Sequence, residues 1–164
     1  GMGAAVYDAF LLLGAAQDLD APLPDADALL HPIQTCRSRD GGYGNLPGQP
    51  VGTTTATAAA VMVRLELTGE AEDETLGWLF ELVLDGGLAG HPAIPSADLL
   101  STAVGLHALR SAGWDVSALG GPMERYVLSL QSDDGGFVGH AGDDVPDAEY
   151  TCYALLALGS LALP

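Results

Sequence analysis

Two carboxylates and a tyrosine stand together in the segment Asp147-Ala148-Glu149-Tyr150-Thr151, directly before an apolar run. Carboxyl groups can donate or accept protons in catalysis, and a tyrosine beside them can contact a polar ligand group. Acids in the first turn of a helix also interact favourably with the helix dipole, by about 0.3–1 kcal/mol. We therefore treat Asp147, Glu149 and Tyr150 as candidate catalytic residues. The alternative is that the two acids only stabilise a helix N-terminus.

Four more residues are candidates for ligand binding. Asp98 and Ser101 occupy the positions of Asp147 and Tyr150 in an earlier copy of the same segment. His107 lies midway along an apolar run, where the alternative is a core histidine with satisfied hydrogen bonds. Tyr153 can offer an aromatic face to a ligand or cation, and its alternative role is packing in the core.

Metal-ligand spacing is poor throughout the sequence. His140 lies in a loop with Asp143 and Asp144, but this spacing fits no ordered metal site and indicates a solvated acidic loop. Cys36 and Cys152 belong to no Cys/His ligand cluster and make no disulfide framework. We predict no metal ion and no cofactor.

The elements that position these residues come from three copies of one pattern. In each copy Asp-Gly-Gly is followed by Tyr, Leu or Phe, and a threonine stands 17 residues after the aspartate; the copies are offset by 45 and 49 residues. They are Asp40–Tyr43 with Thr57, Asp85–Leu88 with Thr102, and Asp134–Phe137 with Thr151. A fixed period of this size indicates stacked supersecondary units, so we predict a single domain with repeats at about 25–69, 73–113 and 120–162.

Each repeat is predicted to be a pair of helices. The first of each pair carries more polar residues, and the second consists of small and apolar ones, which indicates an outer and an inner layer. A helix before the repeats has inner-layer composition, and no segment alternates cleanly enough to predict a strand. The predicted helices are Ala4–Gln17, Asp25–Arg37, Thr54–Thr68, Asp73–Leu84, Ala97–Ala112, Pro122–Gln131 and Asp147–Leu161.

Helix ends are marked by capping residues. Asp25, Ser96 and Asp147 are predicted N-caps, because their side-chain oxygens can accept the free N–H groups of a first turn. Gly69 and Gly113 are predicted to end helices in a left-handed conformation.

The charge of the chain excludes several classes of partner. It has 5 Lys and Arg against 22 Asp and Glu, a net charge of −17. Without a basic patch the chain is not expected to bind nucleic acid or an anionic membrane surface. No apolar run is long enough to span a bilayer, and we expect a cytoplasmic protein.

The third copy, Arg125–Phe137, resembles the QW-type repeat of squalene and hopene cyclases and the repeat of protein prenyltransferase β subunits. The segment Asp147–Leu155 closely resembles part of the prenyltransferase repeat, and the resemblance covers about Asp25–Leu161. It implies an all-α fold, a partial α/α toroid of about seven helices, whose inner helices ring an apolar cavity for an isoprenoid.

The resemblance does not extend to the prenyltransferase zinc site. It places the zinc ligands of that family at Ser101, Ala103 and Tyr150, and these residues cannot form the site. The diphosphate clamp of the family needs cationic side chains, yet the segment 90–102 contains His91 and neither Lys nor Arg. A zinc-dependent prenyltransferase is therefore disfavoured.

Class II terpene cyclases protonate an alkene with an acidic DxDD-Thr motif, and the segment 147–151 falls on that motif. Asp147 keeps the first acid, Glu149 stands for the middle one, and Tyr150 replaces the last. The resemblance thus keeps Asp147 and Glu149 as candidate proton donors.

Three hypotheses about function follow. The first is an isoprenoid-related enzyme, resembling prenyltransferases or class II cyclases, with its pocket at the inner-helix N-termini. The second is a non-catalytic binder of an apolar ligand in the same pocket, and the third is a structural repeat module. Three helix pairs make only part of a toroid and leave apolar edges exposed, so we expect a homodimer or a complex with another repeat chain.

Overall fold

Helices dominate the structure and alternate between two layers along the chain. The computed structural model describes residues 5–22 and 25–162. The described helices are α1 Ala5–Asp18, α2 Ala26–Thr35, α3 Thr54–Thr68, α4 Asp73–Glu81, α5 Leu99–Ser111, α6 Gly120–Ser129 and α7 Ala148–Ala162. The predicted all-α fold of seven helices is confirmed, with every described boundary within three residues of its prediction. Ala4, the predicted start of the first helix, lies outside the described residues.

Four helices form the inner layer and three cover it. The inner helix α1 packs against α3, α3 against α5, and α5 against α7. Of the outer helices, α2 contacts α1 and α3, α4 contacts α3 and α5, and α6 contacts α7. The prediction that the first helix belongs to the inner layer is confirmed.

The core lies between the two layers and follows the small, apolar composition of the inner helices. Its largest fully buried side chains include Leu79 of α4 and Leu99, Leu106 and Leu109 of α5. Burying a leucine side chain stabilises a fold by about 1.5–3 kcal/mol. Both α3 and α5 have an inner helix on each side, so these two helices contribute most of the buried residues of the inner layer.

One hydrogen bond recurs in all three repeats and explains the constant spacing of 17 residues. The side-chain oxygen of the repeat threonine accepts the N–H of the residue that follows the Gly-Gly pair. The pairs are Tyr43 with Thr57 at 2.8 Å, Leu88 with Thr102 at 2.9 Å and Phe137 with Thr151 at 3.1 Å. The turn is therefore tied to the first turn of its inner helix, and a change in spacing would break this bond.

The turns between outer and inner helices are short β-hairpins, which the sequence did not predict. The strands β1 Val83–Leu84, β2 Gly87–Ala89 and β3 Ala97–Asp98 form a small antiparallel sheet, and single bridges replace it in the other repeats. In the second repeat Asp85 and Gly86 have φ of +52° and +87°, as a two-residue type I′ turn requires. These strands are too short for alternation to be visible in the sequence.

The hairpin strands also correct two predicted helix ends. Ser96 is not an N-cap, because Ala97 and Asp98 are extended and pair with β2. Asp98 is the N-cap of α5, and its carboxylate accepts the N–H of Ser101. For the same reason α4 ends at Glu81 rather than at Leu84, since Val83 begins β1. The predicted cap at Asp25 and the left-handed Gly69, with φ +74°, are confirmed.

Replacing Thr102 with valine should lower the free energy of unfolding by about 2 kcal/mol, because it leaves the buried N–H of Leu88 without an acceptor. Urea denaturation measures this loss. The matched control is Thr151→Val, which removes the same kind of bond at a more exposed site and should cost less than about 1 kcal/mol. Equal losses for both variants would contradict the role of burial.

Candidate functional site

The acids at the start of α7 serve the helix itself. A carboxylate oxygen of Asp147 accepts the N–H of Tyr150 at 2.7 Å, and the hydroxyl of Thr151 donates to the Asp147 carbonyl at 2.7 Å. Glu149 accepts only a long bond, 3.5 Å, from the hydroxyl of Tyr153. Both carboxylates are exposed to solvent. The predicted proton donors therefore lack an enclosed setting that would hold a substrate alkene against them away from water.

The matching residues of the second repeat make the same capping bond, but at a more buried position. One carboxylate oxygen of Asp98 accepts the N–H of Ser101 at 2.7 Å, and the other accepts its hydroxyl at 2.8 Å. Ser101 is buried. Tyr126 of α6 lies beside this pair, and its burial, followed by the negative charge of Asp98, raises the pKa of Tyr126 to about 12. Asp98 and Ser101 thus satisfy each other's hydrogen-bonding groups at the N-terminus of α5.

Two tyrosines of α7 form an aromatic pair in the first two turns of that helix. The ring centroids of Tyr150 and Tyr153 are 6.5 Å apart. Burial is the main cause that raises the pKa of each, with smaller contributions from Asp147 and Glu149 to Tyr150 and from Glu149 and Tyr7 to Tyr153. Tyr7 on α1 and Tyr153 on α7 are aromatic residues of the two inner helices that end the arc.

His107 does not join this group. It is the ninth residue of α5, so it lies about 12 Å along the helix axis from the caps at its N-terminus. Its Nδ1 is 3.4 Å from the hydroxyl of Ser160, and burial lowers the pKa of the imidazole. It lines a separate groove with Arg110, Trp114 and Asp115. The structure therefore divides the predicted ligand-binding residues between two ends of the inner layer.

A groove between α2 and α3 was missed by the sequence analysis. It has a volume of about 490 Å³ and is lined by Asp27, His31, Gln34, Tyr43 and Arg64, among others. These residues come from distant segments, and no spacing in the sequence connects them. The nearby arginines are held by acids, because Arg37 pairs with Glu72 and Glu74 at 2.8 and 2.7 Å and Arg64 with Glu72 at 3.4 Å.

Comparison with known proteins agrees with this architecture. A family model described as the prenyltransferase alpha-alpha toroid domain matches residues 4–163. The chain belongs to this prenyltransferase toroid family. The resemblance to prenyltransferase repeats is thereby confirmed.

A solved structure shares the fold of this toroid domain. It is that of Candida albicans protein geranylgeranyltransferase-I complexed with GGPP, with a TM-score of 0.72 and 21% sequence identity. The match covers 95% of this chain and 48% of that one, so the toroid domain spans about half the length of the chain it resembles. No curated protein sequence matches it significantly.

The positions of the family's zinc ligands do not fit a zinc ion in this toroid domain. Ser101 and Ala103 are buried in the core, and Tyr150 packs its ring against Gly139. Zinc sites in proteins use thiolate, imidazole and carboxylate ligands, none of which these three residues provide. Within the described residues no three His, Cys, Asp or Glu side chains are grouped to hold a metal ion.

No described helix of the toroid domain combines the length and the apolar composition that crossing a bilayer requires.

Replacing Asp147 with alanine should lower the free energy of unfolding by about 1 kcal/mol, because the N–H of Tyr150 loses its acceptor. Asp147→Asn keeps an acceptor oxygen and should cost only a few tenths of a kcal/mol. Urea denaturation separates the two variants. If asparagine cost as much as alanine, the charge of Asp147 and not its capping bond would be what matters.

Acidification should destabilise the toroid domain through His107. Since burial depresses its folded-state pKa, the unfolded chain binds a proton more readily, and stability present above pH 6.5 is lost as the pH falls further. Replacing His107 with glutamine should reduce the difference between urea midpoints measured at pH 7.5 and pH 5.5. An unchanged difference would contradict this assignment, and His31→Gln is the matched control on an exposed histidine.

Proposed function

We propose that this toroid domain binds an apolar, isoprenoid-type ligand on its concave face near the inner-helix N-termini, without a zinc ion and without proton-transfer catalysis. The observation that carries the proposal is the capping role of the acids in a chain of prenyltransferase toroid fold. Asp98 and Asp147 stand at the N-termini of α5 and α7, and both are bonded to their own helices. The aromatic faces of Tyr7 and Tyr153 are then the principal contacts for a ligand.

The charges favour an uncharged ligand over a diphosphate. A diphosphate needs arginine, lysine or histidine side chains in reach, and the chain carries a net charge of −17. Arg37 and Arg64 are paired with glutamates between α2 and α4, away from the concave face. We therefore propose an isoprenoid alcohol or hydrocarbon as the ligand class.

The edges of the inner layer in this chain support an assembly. Its inner layer ends in exposed leucines on both sides, Leu11 of α1 at 51% and Leu155 of α7 at 63% exposure. A second copy, or another repeat chain, that packs on these edges would enclose the ligand. A purely structural module that pairs in this way is the second candidate, favoured by the same exposed edges.

Binding of geranylgeraniol, measured by native mass spectrometry and equilibrium binding, tests the proposal. We expect geranylgeraniol to bind more tightly than geranylgeranyl diphosphate, and Tyr153→Ala to weaken it at least about ten-fold through loss of the aromatic face. Phe80→Ala on the outer helix α4 is the matched control and should bind normally.

Three results would count against the proposal. They are tighter binding of the diphosphate, no binding of the alcohol at its solubility limit, and one equivalent of zinc per chain in elemental analysis of the purified protein.

A further inference from the structure

One position on the inner helices is charged in the first repeat and apolar in the other two. The residue seven places after the repeat threonine is Arg64 on α3, Leu109 on α5 and Leu158 on α7. Leu109 is fully buried. Since leucine packs at this position in the same architecture, the fold alone does not require an arginine in the first repeat.

The guanidinium of Arg64 is only partly satisfied by its neighbours. Its Nε is buried and has no hydrogen-bond partner among the described residues. Its Nη1 lies 3.4 Å from Oε1 of Glu72, whose other carboxylate oxygen accepts a hydrogen bond from Arg37 at 2.8 Å. A buried donor without an acceptor costs about 1–3 kcal/mol. The edge of the guanidinium formed by Nε and Nη2 therefore favours an added acceptor.

A second hydrogen-bond donor lies close to this guanidinium. Arg64 lines the groove of about 490 Å³ between α2 and α3, and 34% of its side chain is exposed, so a ligand in the groove can contact it. Tyr43 lines the same groove, and its hydroxyl donates only a long bond, 3.4 Å, to the amide oxygen of Gln34. Burial, followed by the negative charge of Glu72, raises the pKa of Tyr43. The hydroxyl therefore keeps its proton and remains a donor.

The wall of the groove beside these donors is apolar. It includes Leu30 and Ile33 of α2 and Ala60 of α3. Asp27 also lines the groove, but it stands seven residues before Gln34, about 10 Å along the axis of α2, so its negative charge lies away from the hydroxyl. An apolar wall with a few polar groups that converge at one place is typical of a small-molecule site.

We propose that this groove binds a small monocarboxylate with an aliphatic body. The carboxylate pairs with the Nε and Nη2 edge of Arg64 and accepts the hydroxyl of Tyr43, and the body lies on the apolar wall. The groove lies between an outer and an inner helix, separate from the concave face, so the inference goes beyond the proposed function.

The shape and the charge of the guanidinium both favour a carboxylate. A planar carboxylate accepts two parallel hydrogen bonds from one edge of an arginine, which an alcohol cannot do. Glu72 is shared with Arg37, so Arg64 offers one incompletely compensated positive charge. In a chain with a net charge of −17, a single cation favours a singly charged ligand over a phosphate.

Replacing Arg64 with leucine tests the site with the residue that the other two repeats already carry. Glu72 keeps Arg37 as its partner, so the change leaves no carboxylate unpaired. We expect a higher urea midpoint than that of the parent chain, because a buried donor without an acceptor is removed. We expect the same variant to bind octanoate at least about ten-fold more weakly, through loss of the bidentate pair.

Titration with octanoate, followed by NMR, measures the dissociation constant at this groove. The signals are the Nε–H of Arg64 and the backbone amides of Gln34 and Ala60. Acetate lacks the aliphatic body and 1-octanol lacks the carboxylate, so each should bind there at least about ten-fold more weakly than octanoate. The matched control is Arg125→Leu, which removes the same charge from an exposed position on α6 and should bind octanoate normally.

Several outcomes would overturn the proposal. Octanoate could leave these signals unmoved at its solubility limit, or bind the groove no better than acetate or 1-octanol, or bind Arg64→Leu as tightly as the parent chain. A lower urea midpoint for Arg64→Leu would also contradict it, because the ion pair with Glu72 would then explain the arginine. Failure of geranylgeraniol to bind the concave face would leave all these readouts unaltered.

Discussion

The hydrogen bond between the repeat threonine and the backbone after the Gly-Gly pair is the constraint on which the other contacts of this molecule depend. It fixes where the turn lies relative to the inner helix, and in the second repeat it satisfies an N–H that is buried beneath the layers. Once the turn is held there, the next outer helix can place its aromatic ring on the second glycine, and the next loop can cap the inner helix. Local and repeat-to-repeat contacts therefore depend on a single side-chain oxygen per repeat.

The same geometry explains why the acids that suggest catalysis act as caps. An inner helix begins where a β-hairpin ends, and its first N–H groups have no partner within the helix. Asp98 and Asp147 stand at these beginnings and accept those groups. Each of these carboxylates is therefore bonded to its own helix.

The inner helices form an arc with a concave face, and its two end helices each have a single neighbour in the inner layer. The arc has Tyr7 on α1 and Tyr153 on α7, and we propose these aromatic residues as ligand contacts. Curvature also leaves α1 and α7 each with one neighbour in the inner layer, so their outer edges carry exposed leucines. The proposed ligand binding and the proposed association with another repeat chain therefore both depend on one architectural feature.

The sequence by itself determined the repeats, the two layers and the seven helices, because these follow from local periodicity and from residue spacing within one repeat. Its resemblance to prenyltransferase repeats implied the toroid fold. It also determined the absence of zinc-type ligands at Ser101, Ala103 and Tyr150. The β-hairpins, the cap at Asp98 instead of Ser96 and the separation of His107 from Asp147 were decided by tertiary structure. Each depends on how strands pair or how far apart helix positions lie. The contacts of Trp78 with Asp40 and of Gly139 with Leu99 were likewise beyond the sequence, since they join residues about 40 positions apart whose proximity exists only after neighbouring repeats have packed.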